Sequence, residues 1–216
     1  AIGLLLAAFN FLLGLILPGD VANILLLALL VLSSGGLHLD GLADTVDGTA
    51  GHRTPERRLE IMRDSRIGGF GAVSLIMVLL VQYILLNNLP DGPKWMALIA
   101  APVVSRWALV YAIYAFPSAR PDGLGKTFKE GVDLKQFWLA TIITGLLVIG
   151  LWGPAGLVMW AVAFLSAVLT GTGLARMLRG LTGDNYGAIH EVALVFMFIM
   201  TVVLSYNNWL MRIWWF

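Results

Sequence analysis

Residues Gly35 to Gly71 read GGLHLDGLADTVDGTAGHRTPERRLEIMRDSRIGGFG, and they separate the chain into membrane scaffold and chemistry. The stretch carries six of the thirteen carboxylates and five of the fourteen Lys and Arg residues. Asp40, Asp44 and Asp47 follow an i, i+4, i+7 spacing. At 100° per residue, that spacing puts all three within roughly 60° of arc on one helix face. Three carboxylates aimed at one place repel unless a cation sits among them.

Outside this stretch the chain is apolar. Hydrophobic residues make up 59% of it and charged ones only 12%, and the mean hydropathy is +0.85. This composition is that of an integral membrane protein, with the lipid bilayer as its main partner. A net charge of +1 is nearly neutral and by itself suggests no nucleic-acid partner, since phosphate backbones are met by a strongly basic face. The absence of cysteine excludes a disulfide framework, thiolate metal sites and a cysteine nucleophile. The chain begins at Ala1, which reads as an incomplete N-terminus. Ala1 to Leu17 lacks the basic n-region of a signal peptide and leads straight into another apolar segment.

The apolar runs predict seven membrane helices, about Ile2 to Leu17, Val21 to Leu37, Phe70 to Leu89, Trp95 to Phe116, Phe137 to Leu151, Ala155 to Leu174 and Tyr186 to Tyr206. The expected fold is therefore an all-α polytopic helical bundle, one transmembrane domain over residues 1–216. Pro18-Gly19-Asp20, Pro90 to Pro93 and Gly153-Pro154 are tight turns on one side. On the other side lie a polar segment of about residues 38–69 and loops of about 117–136 and 176–185. These three hold eleven Lys and Arg residues against two, Lys94 and Arg212, on the turn side. The bias predicts that the polar segments face the cytoplasm from the cell's inner membrane.

Thr54 as N-cap, Pro55 at the first position and Glu56 in the first turn predict a short helix running to about Arg66. Glu60 and Asp64 would then share a face and could be brought against the aspartates. Asp40, Asp44, Asp47 and Asp64, with Glu60 as ligand or support, make a hard-oxygen set suited to Mg²⁺ or Mn²⁺. A solvated helix laced with salt bridges is the competing reading of residues 54–66. His38 falls about 160° round from Asp40, so it reads as a packing residue or as a proton acceptor. Arg106 is a cation inside a span, and such residues default to functional hypotheses.

The other loops supply cations and glycines. Asp122 to Thr127, DGLGKT, ends in Lys126 but is not a Walker A sequence, and no strand precedes it. Arg176 to Asp184 combines Arg179, Thr182 and Asp184, and Glu191 follows inside the last span. Such loops bind phosphate or serve only as orientation determinants.

GGLHLDGLADTVDG, RRLEIMRDSRIG, Ser105-Arg106, GLGKTF and GLTGDNYGA with Glu191 together resemble the cobalamin synthase family, the membrane adenosylcobinamide-GDP ribazoletransferases. The resemblance spans about Gly35 to Glu191. It implies Mg²⁺-dependent transfer of the cobinamide phosphate from adenosylcobinamide-GDP to a ribose hydroxyl of α-ribazole or its 5'-phosphate, with release of GMP. The metal ligands would be the acids above, and the proton would pass to one of them or to His38. Arg63, Arg66, Arg106, Lys126 and Arg179 are the candidate substrate-binding cations, with Thr182, Asp184 and Glu191 positioning the acceptor or supporting the metal. A homo-oligomer is left open. Asp44-Thr-Val-Asp47-Gly48 also resembles the first half of the CDP-alcohol phosphotransferase motif. However, Ala50 comes one residue early, no arginine follows it, and Glu60 stands where that family has an aspartate. An ion-coupled transporter is the reading from another class, although such sites lie near the bilayer midplane. The chain returns to one face three times, so the three polar segments are expected to form a single site.

Overall fold

The computed structural model describes residues 1–209, and Arg212, counted above on the turn side, lies outside them. Ten helices are described: α1 (Ile2–Gly14), α2 (Gly19–Leu32), α3 (Leu37–Thr49), α4 (Pro55–Ile61), α5 (Gly69–Asn87), α6 (Asp91–Ala115), α7 (Leu124–Gly131), α8 (Leu134–Trp152), α9 (Pro154–Leu178) and α10 (Gly183–Tyr206). Helices α5, α6, α8, α9 and α10 are each long and apolar enough to cross a membrane. The chain is thus a polytopic helical membrane protein.

The expected count of seven spans becomes five, or six if α2 and α3 together are one span bent by 82°. Helix α1 has 13 residues, about 20 Å at 1.5 Å per residue, short of a hydrocarbon core of about 30 Å. The second predicted span, Val21 to Leu37, breaks at Ser33-Ser34-Gly35-Gly36. Both serine hydroxyls turn back to backbone oxygens, Ser33 to Leu30 at 2.6 Å and Ser34 to Val31 at 3.0 Å. Gly35 and Gly36 then take φ of +61° and +78°, which glycine adopts without the Cβ penalty of other residues. The chain leaves this corner as α3.

Helices α6 and α10 form the centre. Ala97, Ala100, Ala101, Val104, Ala108 and Ala112 of α6 are completely buried, as are Ile189, Ala193 and Met197 of α10. Small residues let helices approach closely where lipid supplies no hydrophobic drive for helix association. A Cβ on Gly3 would collide with the Ile99 oxygen where α1 crosses α6, and one on Gly156 with the Val148 oxygen where α9 meets α8. Ile76, Leu80, Ile142, Leu146, Leu165 and Leu169 point outward, as expected of a surface solvated by acyl chains.

Two connections on the polar side pair through their backbones. Leu181 N donates to Pro117 O at 2.8 Å and Ala119 N to Leu181 O at 2.9 Å. Gly180, at φ +149°, sits so close that a Cβ would lie 2.7 Å from Ala119 N. Thr182 then caps α10 through a capping box with Asn185.

Candidate active site

Helix α3 carries the aspartates, and its glycines and threonine set how it meets α10. A Cβ on Gly41 would stand 2.6 Å from Asp184 O, and one on Gly187 would stand 3.0 Å from His38 O. Thr45 Oγ1 accepts from Asn185 Nδ2 at 2.9 Å in a buried bond. The start of α10 is thereby fixed against the aspartate helix. Asp47 ties α3 to α5, its two carboxylate oxygens accepting from Gly68 N at 2.7 Å and Gly71 N at 2.8 Å. Those donors are among the N–H groups left free at the start of α5.

Beside α3 opens a cleft of about 370 Å³ between α3, the 118–125 connection and the start of α10. Asp40, Asp122 and Asp184 supply its acids, Arg120 its cation, and Leu109, Phe128 and Tyr186 an apolar wall. Arg120 Nη1 lies 3.5 Å from Asp184 Oδ2 and Nη2 donates to Leu59 O at 3.2 Å. Burial lowers the Arg120 pKa, with Asp184 opposing that effect most strongly. Among the described residues, no ion pair neutralises Asp40 or Asp44. These carboxylates, with Asp184 beside them, are the hard-oxygen donor type that a divalent cation takes, although among the described residues the three ligand atoms that lie within 4.8 Å of one another belong to His38, His190 and Glu191.

The short helix differs from expectation. Thr54 Oγ1 accepts from Arg57 N at 3.3 Å as its cap, but α4 ends at Ile61. Past that point Asp64 Oδ1 accepts from Arg66 N at 3.0 Å, a local turn that competes with helix. Helix α4 packs on α3 through Arg58 and Met62, both against Gly48. Glu60 is two residues from each, about 200° round the helix, and pairs with Arg57 at 2.6 Å on the exposed side. Glu60 is therefore not brought against the aspartates, and it does not share a helical face with Asp64. Asp64 is gripped by Arg66 at 2.7 Å, and the hydrogen bonds from Arg66 hold its pKa down at about 2.

The cations expected to bind substrate are mostly spoken for at the surface. Arg63 reaches Asp122 at 3.4 Å, Lys126 reaches Glu130 at 3.7 Å, and Arg179 reaches Glu56 at 3.2 Å. Arg106 lies behind the cleft, donating to Pro102 O at 3.0 Å. There it borders a small void with His38, Gln82, His190 and Glu191. The His38 ring stacks on His190 with centroids 3.7 Å apart. Glu191 is buried, held by Gln82 Nε2 at 2.8 Å, with His190 Nδ1 3.3 Å away. His38 borders both spaces, whereas Glu191 sits in the inner one. Thr182 is a buried cap, and Asp184 faces the cleft.

Sequence reasoning alone misses Arg120, Asn185, Gln82 and His190. Arg120 sits beside the glycine-rich DGLGKT, and that adjacency is the available signal. Asn185 follows Thr182 by three, the capping-box spacing.

A family model described as cobalamin-5-phosphate synthase matches residues 1–202. The chain is 42% identical over 193 residues to an adenosylcobinamide-GDP ribazoletransferase of Roseiflexus sp. (strain RS-1), covering 89% of this chain and 71% of that protein. It is 41% identical over 194 residues to the protein of that name from Geotalea daltonii, covering 88% and 77%. Against the one from Escherichia coli O157:H7 it is 40% identical over 207 residues, covering 91% and 83%. No solved structure matches significantly.

Proposed function

Because this chain belongs to the cobalamin-5-phosphate synthase family, we propose that it transfers the cobinamide phosphate of adenosylcobinamide-GDP to α-ribazole or α-ribazole 5'-phosphate. A ribose hydroxyl attacks the phosphorus that bears the cobinamide. A new P–O bond forms, the P–O bond to the departing GMP breaks, and the hydroxyl proton passes to a carboxylate of the cluster or to His38. The observation that carries the reading is the cleft itself, lined by un-neutralised Asp40 together with Asp184 and Arg120, with Asp44 near enough to sense the charge of all three.

Mg²⁺ held by Asp40 and Asp44, with Asp47 and Asp184 beside them, would neutralise charge on the diphosphate and on the leaving GMP. The protein's own part is positioning. Thr45 and Asn185 lock α3 to α10, and Asp47 locks α3 to α5, so the carboxylates cannot splay apart when charge gathers between them. Arg120 stands on the opposite wall for the diphosphate. Leu109, Phe128 and Tyr186 offer apolar surface to a large substrate and keep water from the attacked phosphorus. The eleven-to-two charge bias supports a site that opens to the cytoplasm.

Purified protein supplied with adenosylcobinamide-GDP, α-ribazole and Mg²⁺ is expected to release GMP and form the cobalamin product. A CDP-alcohol precursor with an alcohol acceptor should give no CMP. CMP release without GMP release would overturn the proposal in favour of phospholipid chemistry.

A further inference from the structure

The cations of the polar side are not equivalent. Arg63, Arg66, Lys126 and Arg179 are each exposed and each face a carboxylate of their own, pairs that contribute little in water. Arg120 differs in burial and in place. It is the one Lys or Arg lining the cleft among the described residues, and only 17% of its side chain is exposed. Its backbone is held on both sides, by Ser118 Oγ donating to Arg120 O at 2.8 Å and by the Ala119 bond to Leu181.

Its guanidinium is nevertheless under-used. The Asp184 contact, at 3.5 Å, is long for a charge-assisted hydrogen bond, which settles at about 2.7–2.9 Å. Its Nε is buried without a hydrogen-bond partner. Around it the starts of α7 and α10 converge, close enough that a Cβ on Gly125 would stand 2.8 Å from Gly183 N. Both helix starts present free N–H groups and positive dipole ends. A fixed guanidinium beside two helix starts suits an anion, while the acids Asp40 and Asp184 of the same cleft would suit that anion's metal.

We propose that Arg120 is the anion-binding residue of this cleft, that it grips the diphosphate of the nucleotide-activated substrate, and that Asp184 holds its place until the diphosphate arrives. The inference rests on the functional reading above and adds to it the residue that holds the nucleotide end. On binding, Arg120 exchanges Asp184 for the diphosphate's fork of oxygens, and the freed Asp184 carboxylate would be available to hold a divalent cation with Asp40. The two ligands therefore strengthen each other's binding.

The test is calorimetry of GDP binding to the full chain in detergent, with Mg²⁺ and with EDTA. R120A is expected to weaken Mg·GDP at least ~10-fold, and R120K to recover only part of that, because an ammonium lacks the planar fork. D184N is expected to bind GDP in EDTA several-fold more tightly than wild type, a gain that vanishes in R120A/D184N. Should R120A fail to fold, R120K and D184N decide the same question, and cooperative thermal unfolding in detergent certifies the folded state of each variant. Wild-type affinity for Mg·GDP in R120A or R120K would overturn the assignment, as would a D184N gain that survives loss of Arg120. If the wild type turns over the activated corrinoid yet these variants bind GDP normally, only the role of Arg120 fails. If the wild type releases no GMP, the functional reading fails with it.

Discussion

Asn185 Nδ2 donates to Thr45 Oγ1 across 2.9 Å, a buried bond between residues 140 apart in sequence. It joins the cap of α10 to the middle of the aspartate helix, so the geometry of the cleft depends on a contact that involves no acid. Thr45→Val keeps the shape but removes the acceptor, leaving a buried amide N–H unpaired at a cost of about 1–3 kcal/mol. Thermal unfolding in detergent should show that loss, and Thr45→Ser should restore most of it. Equal stability of the Val and Ser variants would contradict the role given to this bond.

The aspartates of α3 should separate by phenotype. Asp40→Asn and Asp44→Asn are expected to lower transfer at least ~100-fold, the scale of losing a charge aimed at the transition state, while unfolding stays near wild type. Asp47→Asn is expected to lose activity and stability together. One of its two backbone N–H partners would face an amide NH₂, at a cost of about 1–3 kcal/mol. Glu60→Gln should leave turnover unchanged, because Glu60 pairs with Arg57 on the outer side of α4. The measurements are kcat and melting temperature on the same preparations.

Gly41→Ala puts a methyl 2.6 Å from Asp184 O, a backbone atom that cannot swing aside. Separating α3 from α10 should cost about 1–3 kcal/mol, the range for overpacking, and lower turnover with it. Gly92→Ala, which meets nothing within 4 Å, serves as the control and should be neutral in both. An active, fully stable Gly41→Ala protein would mean that α3 does not sit this close to α10.

The charge bias makes a topological prediction. Single cysteines at His52, Pro121 and Arg176 should resist impermeant thiol reagents in intact cells, and one at Gly92 should react. The neighbouring Gly51 and Gly180 are unsuitable positions, because their φ of +74° and +149° would strain a cysteine. Labelling from outside at any of the three polar-side positions would reverse the orientation.

Legibility followed the range of the forces involved. The five long helices were readable because an apolar run of about 20 residues is a local property, and the cap at Thr54 because Thr-Pro-Glu is a local signal. The corner at Ser33 to Gly36 was not, since an apolar window averages over two serines bonding back to the preceding turn. The outward face of Glu60 was not legible because it is set by which side of α4 packs on α3, a tertiary contact through Arg58 and Met62 at Gly48, and its separation from Asp64 follows from α4 ending at Ile61. Arg120 gained its place only through the pairing of Ala119 with Leu181, a contact across 62 residues that no periodicity announces. That the three polar segments would converge was legible from topology, and Arg63 with Asp122, Thr45 with Asn185, and Arg120 with Asp184 are the contacts that join them.

The central claim is that carboxylates on α3 and at the start of α10 work with a divalent cation on a nucleotide-activated corrinoid. Its most direct test is GMP release from adenosylcobinamide-GDP and α-ribazole by purified wild-type protein, followed before and after chelation by EDTA and after Mg²⁺ is restored. The account predicts release that stops on chelation, returns with Mg²⁺, and stays absent in Asp44→Asn throughout. Undiminished GMP release in thoroughly chelated buffer, or wild-type release by Asp44→Asn, would contradict it.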